Sequence, residues 1–282
     1  MTKAREVERT LKALPQVDGA GVHLMRAFGH SEVYSLDPFL MLDDFHSSDP
    51  REYMAGFPMH PHRGIETVTY MLRGTMDHMD NIGNRGAIES GDVQWMTAGS
   101  GIVHQEMPRR YEGNMQGFQL WVNLPAAKKM MRPRYRGIKA NDIPVCEPRA
   151  GVEVKVVAGN VDGTVGPVKD LVVDVEYLDV SLSRDQEYIH QVPEGMSAFA
   201  YVFEGSAAFG ARPMKVGKEH LAVFAREGDV VARAGAEGAR FLLAAGRPLR
   251  EPIAWGGPIV MNTDEELERA FEELRLGTFI KK

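Results

Sequence analysis

The sequence holds one cysteine, Cys146, in 282 residues. That excludes an internal disulfide and any thiolate-rich metal site, and it fits a reducing compartment. Apolar runs are short, and none approaches the ~20 residues a membrane helix needs. Positive charge is also scarce: 33 Lys and Arg against 39 Asp and Glu leave a net charge of −6. Nothing in that balance marks a nucleic-acid-binding surface or an anionic membrane partner. The opening residues Met1-Thr-Lys-Ala-Arg-Glu-Val-Glu-Arg9 carry no apolar stretch, which argues against a secretory signal or transit peptide. The expectation is a soluble, cytoplasmic protein, with a nuclear site open if the source is eukaryotic. Phosphate-cradling Gly-x-x-x-x-Gly-Lys-Ser/Thr loops and Gly-x-Ser-x-Gly elbows are missing as well.

What the chain does contain is a succession of short strand patterns. Val7, Leu11 and Leu14 suggest one short helical face that Pro15 ends. After it, Val22–Phe28 and Asp37–Phe45 read as strands, the second a buried one. Thr67–Leu72, Met76–Asn81 with the turn Ile82–Gly86, Val93–Met96, Ile102–Val103 and Gly117–Asn123 continue the series. Residues 125–150, broken by Pro125, Pro133, Pro144 and Pro148, read as a connector. Its basic cluster, Lys128-Lys129 through Arg132, Arg134 and Arg136, reads as a solvated loop. Val152–Val157 and Val172–Leu182 then resume the strand pattern.

Length alone suggests about two domains. Two landmarks recur in order: Tyr70–Gly74 is echoed by Tyr201–Gly205, and Gly91-Asp-Val93 by Gly228-Asp-Val230. Together they suggest a duplicated β-domain, divided into residues 1–136 and 137–282. The chain closes on a helix: Thr263-Asp-Glu-Glu266 is a capping box, Leu267, Ala270, Phe271 and Leu274 form an apolar stripe, and Gly277 suits the C-terminal cap.

The densest chemistry lies in Gly56-Phe-Pro-Met-His60-Pro-His62-Arg-Gly-Ile-Glu66 and in Gly91 to Glu106, where His104 and Glu106 stand two apart. A strand sends alternate side chains to one face, so each pair can aim both members at one point. Three imidazoles and one carboxylate make a mixed N/O set for one divalent metal ion: Fe(II), Mn, Ni, Cu or Co, with Zn open as a non-structural occupant. Glu66 competes with Glu106, because its offset of four from His62 would also face inward on an unbroken strand; a bulge at Arg63-Gly64 would disturb that. Trp95 reads as core, and His30, His46, His190 and His220 as ordinary histidines. If the two halves align without gaps, the four donors are replaced in the second half by Gln191, Pro193, Phe241 and Leu243. The second half would then hold no metal.

Phe57-Pro-Met-His-Pro-His-Arg-Gly-Ile-Glu-Thr-Val-Thr-Tyr70, Gly91–Pro108 and Gly117-Phe-Gln-Leu-Trp-Val-Asn-Leu-Pro125 resemble the pirin family of the cupin superfamily. The resemblance implies an all-β bicupin: two antiparallel cupin-type β-barrels with a short C-terminal helix, and a metal only in the N-terminal barrel. It implies iron as the metal and His60, His62, His104 and Glu106 as its ligands. In many other cupins the carboxylate comes from the first motif, where Glu66 stands. Pirins are associated with quercetin 2,3-dioxygenase activity and, in eukaryotic members, with nuclear co-regulation of transcription. The expectation is therefore an Fe(II)-dependent dioxygenase acting on a small aromatic flavonol and O2, with Glu106 or Glu66 taking the substrate's hydroxyl proton. Two alternatives stand beside it: a metal-dependent protein-interaction module working through a protein partner rather than DNA, and an oxygenase for another small substrate.

Overall fold

The computed structural model describes residues 3–30 and 34–281. Four strands come first: β1 (Val7–Lys12), β2 (Leu14–Asp18), β3 (Val22–Phe28) and β4 (Phe39–Ser47). Then follow β5 (Phe57–His62), β6 (Ile65–Arg73), β7 (Met76–Asp80) and β8 (Arg85–Ile88). The next group is β9 (Val93–Thr97), β10 (Ile102–Pro108), β11 (Met115–Asn123) and β12 (Arg134–Ile138). The later strands are β13 (Val145–Arg149), β14 (Val152–Ala158), β15 (Asn160–Val161), β16 (Thr164–Val165), β17 (Val175–Leu182) and β18 (Glu187–His190). After them come β19 (Ser197–Phe209), β20 (Met214–Gly217), β21 (His220–Phe224) and β22 (Val230–Gly246). A small hairpin, β23 (Ala254–Gly256) and β24 (Ile259–Met261), leads into helix α1 (Asp264–Leu276).

The strands sort into two compact units. The first comprises Pro15–Ala140 with Leu249–Lys282, the second Met1–Leu14 with Asn141–Pro248. The linear division at 136/137 therefore needs correcting at both ends. β1 belongs with the later strands, and the C-terminal hairpin and helix with the earlier ones. In the first unit a seven-stranded sheet of order β12-β9-β6-β11-β4-β3-β2 accompanies a four-stranded sheet β5-β10-β7-β8. In the second, one sheet follows the path β1-β21-β19-β22-β17-β14-β13, with β18 on β22 and β20 on β19. All these pairings are antiparallel, and the ladder does not run continuously round either unit.

Three local expectations change. Val7–Leu14 is strand, not helix: Val7 to Lys12 pair with Phe224 to His220, and that ladder outweighs a weak local pattern. Pro15 falls within edge strand β2, where a missing N–H is tolerated. The connector contains β12, which pairs with β9, and β13, which puts Pro148 on a sheet edge. Nor is the basic cluster wholly solvated. Lys129 is buried, and its ammonium donates to Gly64 O (2.9 Å), Asn123 Oδ1 (2.6 Å) and Val260 O (3.0 Å).

Helix α1 forms as its signals direct. Thr263 Oγ1 accepts from Glu266 N, the Glu266 carboxylate accepts from Thr263 N, and Gly277 takes φ +72°. Ala270 is buried, and Leu267 and Leu274 pack on Ile259, Met261 and Phe279, but Phe271 is exposed. Arg63 anchors this end: its guanidinium is buried, donates to Ser100 O and Phe279 O, and pairs with Glu273 at 2.7 Å. Gly64 permits the close approach, since at φ +79° a Cβ there would lie 1.9 Å from Val260 O.

Candidate metal centre

Two strands build the centre. On β10 burial alternates, so that Ile102, His104, Glu106 and Pro108 share the inner face. β5 pairs with β10 in a register that sets His62 opposite Ile102 and His60 opposite His104. A register shift between His104 and Glu106 then brings Glu106 opposite Phe57. His60, His62 and His104 thereby converge, with one ring nitrogen of each within 4.8 Å of the others. Among the described residues no other group of three ligating side chains meets that condition.

The hydrogen bonds assign the protons. His60 Nδ1 lies 2.8 Å from Pro58 O and His62 Nδ1 3.2 Å from Pro258 O. A carbonyl only accepts, so each Nδ1 carries the hydrogen and each Nε2 presents a lone pair. Those two Nε2 atoms are 3.0 Å apart. His104 is 1% exposed, and both its ring nitrogens are buried without a hydrogen-bond partner. Buried polar atoms left this way are costly, and a divalent cation shared by the three rings would take one nitrogen of His104 together with the Nε2 lone pairs of His60 and His62. The donor set therefore fits a metal ion.

Electrostatics agree. Burial, then the neighbouring His60 and His104, hold the His62 imidazole well below its ordinary value. Burial pushes His104 down to about 4, against the opposing pull of Glu106 and with help from His60. Neutral imidazoles are the ligating form, so the rings are ready for a cation near pH 7.

The two carboxylates have different fates. Glu106 stands two residues after His104 on the same face, and it is 1% exposed. It is not within the three-histidine group. Thr69 Oγ1 donates to its Oε1 (2.8 Å) and Gln119 Nε2 to its Oε2 (2.8 Å). Each oxygen keeps a lone pair. Glu66 is not brought there. It lies on β6 three residues before Thr69, hence on the opposite face, where Thr97 Oγ1 and Arg136 Nη2 (2.9 Å) donate to it. The break at Gly64 separates β5 from β6, so the alternation counted from His62 does not carry through.

Several residues here carry no obvious mark in the sequence. Gln119 and Trp121 alternate on β11; Trp121 Nε1 donates to Gln119 Oε1 (3.0 Å), and its ring meets His62 edge-on at 5.1 Å. Their two-residue spacing is the signal that could have found them. Trp255 and Pro258 come from beyond residue 249, and no local pattern announces them. A cavity of about 600 Å³ opens beside His60 and His62, lined also by Arg26, Asp43, Trp121 and Trp255. That is a size suited to a small organic ligand. A second cavity of about 640 Å³, in the other unit, is lined by Glu153, Ser183, Arg184 and Arg240 and holds no such cluster. Trp95 is fully buried core, as expected. Among the other histidines, His46 bonds Asp44 at 2.9 Å and His220 bonds Lys218 O at 2.8 Å.

The pirin family profile matches residues 21–122, and that of the pirin C-terminal cupin domain matches residues 177–280. A Pseudomonas aeruginosa protein provisionally named a quercetin 2,3-dioxygenase is 46% identical over 282 residues, covering 98% of this chain and 99% of its own. Mouse pirin is 39% identical over 280 residues, covering 98% of this chain and 94% of its own. The crystal structure of a quercetin 2,3-dioxygenase from Acinetobacter baumannii superposes with a TM-score of 0.90 at 32% identity, covering 98% of both chains.

Proposed function

The chain belongs to the pirin family, and from that membership we propose that it is a metal-dependent dioxygenase opening the ring of a flavonol such as quercetin. Its ion would be held by His60, His62 and His104, with Glu106 as the oxygen donor and Fe(II) as the native metal. The observation that carries this reading is the unpartnered, fully buried His104 beside two imidazoles whose Nε2 atoms face each other. When bound, such an ion supplies Lewis-acid and redox activation of a phenolic substrate and of O2.

The chain's own groups do the rest. Pro58 O and Pro258 O fix the tautomers of His60 and His62. Thr69 and Gln119 hold the Glu106 carboxylate in one orientation while leaving it lone pairs. Glu106 is the buried carboxylate on the metal-facing side, and in this reading it accepts the flavonol's 3-hydroxyl proton. Trp121 and Trp255, with ring centroids 6.1 Å apart, give the cavity aromatic walls that exclude water from the reacting ring.

The test is metal analysis of protein purified without added metal, followed by quercetin turnover and oxygen uptake by the Fe(II)-loaded protein. Near-stoichiometric metal and oxygen uptake that disappears in His104→Ala are expected. Equal uptake by the variant would remove the claim.

A further inference from the structure

The cavity beside the histidines has a built floor. Across the seven-stranded sheet, Thr69 on β6 faces Gln119 on β11, Gln119 faces Asp43 on β4, and Asp43 faces Arg26 on β3. Facing residues share a side of the sheet, so these four form one polar row. At its near end Thr69 and Gln119 hold Glu106. At its far end Arg26 donates to Asp43 through Nε (2.7 Å) and Nη2 (2.7 Å), and to Asp18 on outermost strand β2 (2.7 Å). From β11 to β2 is three strand spacings, or ~14 Å. Alongside runs an apolar row, Trp121 facing Met41. Gln119, Asp43 and Arg26 of the polar row line the one cavity with Trp121 and Met41 of the apolar row, and so does Trp255, whose ring lies tilted against Trp121 at 6.1 Å between centroids.

The far end is selective in its chemistry. Asp43 is buried and already bound in bidentate fashion by Arg26. The side chain of Asp18 is half exposed, and among the described residues Gly19 N and Arg26 Nη2 donate to its oxygens. A carboxylate has about four acceptor positions, so Asp18 has capacity left. Two carboxylates against one guanidinium make this end net acidic. It welcomes O–H donors and repels anionic groups.

We propose that this pocket recognises planar polyphenols carrying hydroxyl groups on the ring remote from the metal, with Asp18 as the specificity-determining acceptor and Trp121 and Trp255 as stacking walls. This deepens the flavonol reading and rests on it. One end of the substrate meets the histidines, its rings lie along the Trp121–Met41 row, and the hydroxyls of its pendant ring donate to Asp18. A bare pendant phenyl leaves that carboxylate to water and forgoes a charge-assisted hydrogen bond.

The test uses two flavonols that differ only in the pendant ring, one with two adjacent hydroxyls and one with none. Their affinities are measured by calorimetry on the metal-free full chain and their kcat/KM on the Fe(II)-loaded protein, for wild type, Asp18→Asn and Trp255→Leu. Asparagine keeps an oxygen for the Gly19 N–H, so the turn at Asp18 survives. Wild type should bind the dihydroxylated compound about tenfold more tightly, and Asp18→Asn should cut that ratio below about threefold. Trp255→Leu should weaken both compounds alike and leave the ratio unchanged. Equal affinities in wild type, or an undiminished ratio in Asp18→Asn, would overturn the inference while leaving turnover, and hence the oxygenase reading, intact. The expected binding ratio without turnover of either compound would overturn the oxygenase reading alone. Neither binding nor turnover of either compound would remove both.

Discussion

The two units carry the same strand pairing, and they differ in what satisfies a buried histidine. In the first, β5 pairs with β10 so that His62 faces Ile102 and His60 faces His104. In the second, β18 pairs with β22 so that His190 faces Val230 and Tyr188 faces Ala232. Ala234 faces Ala207 there, as Glu106 faces His78. The register counterparts of His60, His62, His104 and Glu106 are therefore Tyr188, His190, Ala232 and Ala234. One imidazole of the four donors is kept, and its environment has been rebuilt. His190 Nε2 lies 2.8 Å from Glu176 Oε2, and its Nδ1 lies 3.1 Å from Tyr188 Oη. Both nitrogens of His190 are thus satisfied by protein, whereas both nitrogens of His104 have no protein partner. Equal burial with opposite hydrogen-bond status separates a histidine satisfied by protein from one whose nitrogens are left open to an ion.

The largest expected effect follows directly. His104→Ala should reduce bound metal from near one equivalent to below detection and lower turnover more than about 100-fold. The change at the one histidine kept in the other unit, His190→Ala, should leave metal content untouched. Inductively coupled plasma analysis of both variants decides it: metal lost from the His190 variant would mean that the contrast between the units is misdrawn.

His190→Ala should act on stability instead. It strips a buried carboxylate, Glu176, of its imidazole and leaves Tyr188 Oη without that contact, a loss on the order of 3 kcal/mol. Urea denaturation should show a lowered midpoint at unchanged slope. A cost no larger than that of an exposed histidine would show that the Tyr188–His190–Glu176 chain contributes little.

That contrast was only partly legible in the sequence. The alternating pairs His60/His62 and His104/Glu106 were readable because strand periodicity is local and both pairs lie on unbroken strands. The positions that stand in their place in the second unit were not readable. Gap-free counting gave Gln191, Pro193, Phe241 and Leu243, because β19 and β22 each run through what in the first unit are two separate strands. The repeat Gly91-Asp-Val93 opens β9, while Gly228-Asp-Val230 opens β22, so those landmarks are not counterparts. Glu66 leaves the histidines for a similar reason: the alternation counted from His62 stops at Gly64, the step where a bulge was the open alternative. Trp255, Pro258 and α1 reach the first unit from beyond residue 249, and which unit a terminal segment joins is a tertiary choice that no short-range pattern records.

A smaller effect separates the units by pH. In metal-free protein the buried His104 resists protonation until about 4, whereas an unfolded histidine takes up its proton near 6.5. Between those values the unfolded state binds more protons, so this contribution is full above pH 6.5 and is lost as pH falls toward 4. His62, also held low, acts in the same direction. The stability difference between wild type and His104→Gln should therefore narrow as pH drops from 7 to 4, on the order of 1–3 kcal/mol in total. Metal loading should steepen the loss, because protons compete with the ion. A pH-independent difference in urea midpoint would contradict the assignment of neutral, desolvated rings.

Gln119→Leu comes next in size. It removes the donor to Glu106 and the acceptor for Trp121 Nε1 without touching an imidazole. Supporting bonds of this kind are commonly worth 10- to 100-fold in affinity or activity. Turnover should fall about tenfold while the histidine-held metal stays near stoichiometric. Gln119→Glu, which keeps an acceptor for Trp121 but places a second carboxylate against Glu106, should do worse than leucine. If leucine and glutamate behaved alike, the orientation of Glu106 would not be what Gln119 supplies.

The smallest effect asks whether the C-terminal helix stabilises the unit it has joined. Thr263→Ala removes the cap that accepts from Glu266 N and should cost about 1 kcal/mol. Because α1 packs on β24, and β24 reaches Arg63 through the bridge at Ile259, that loss should appear as faster amide exchange in β5 and β10. It should not appear in β17 or β22. The expected acceleration is about fivefold, the equivalent of that free energy. Equal acceleration in both units would mean that they open as one body, and that the exchange of chain ends between them couples what the strand pairing keeps distinct.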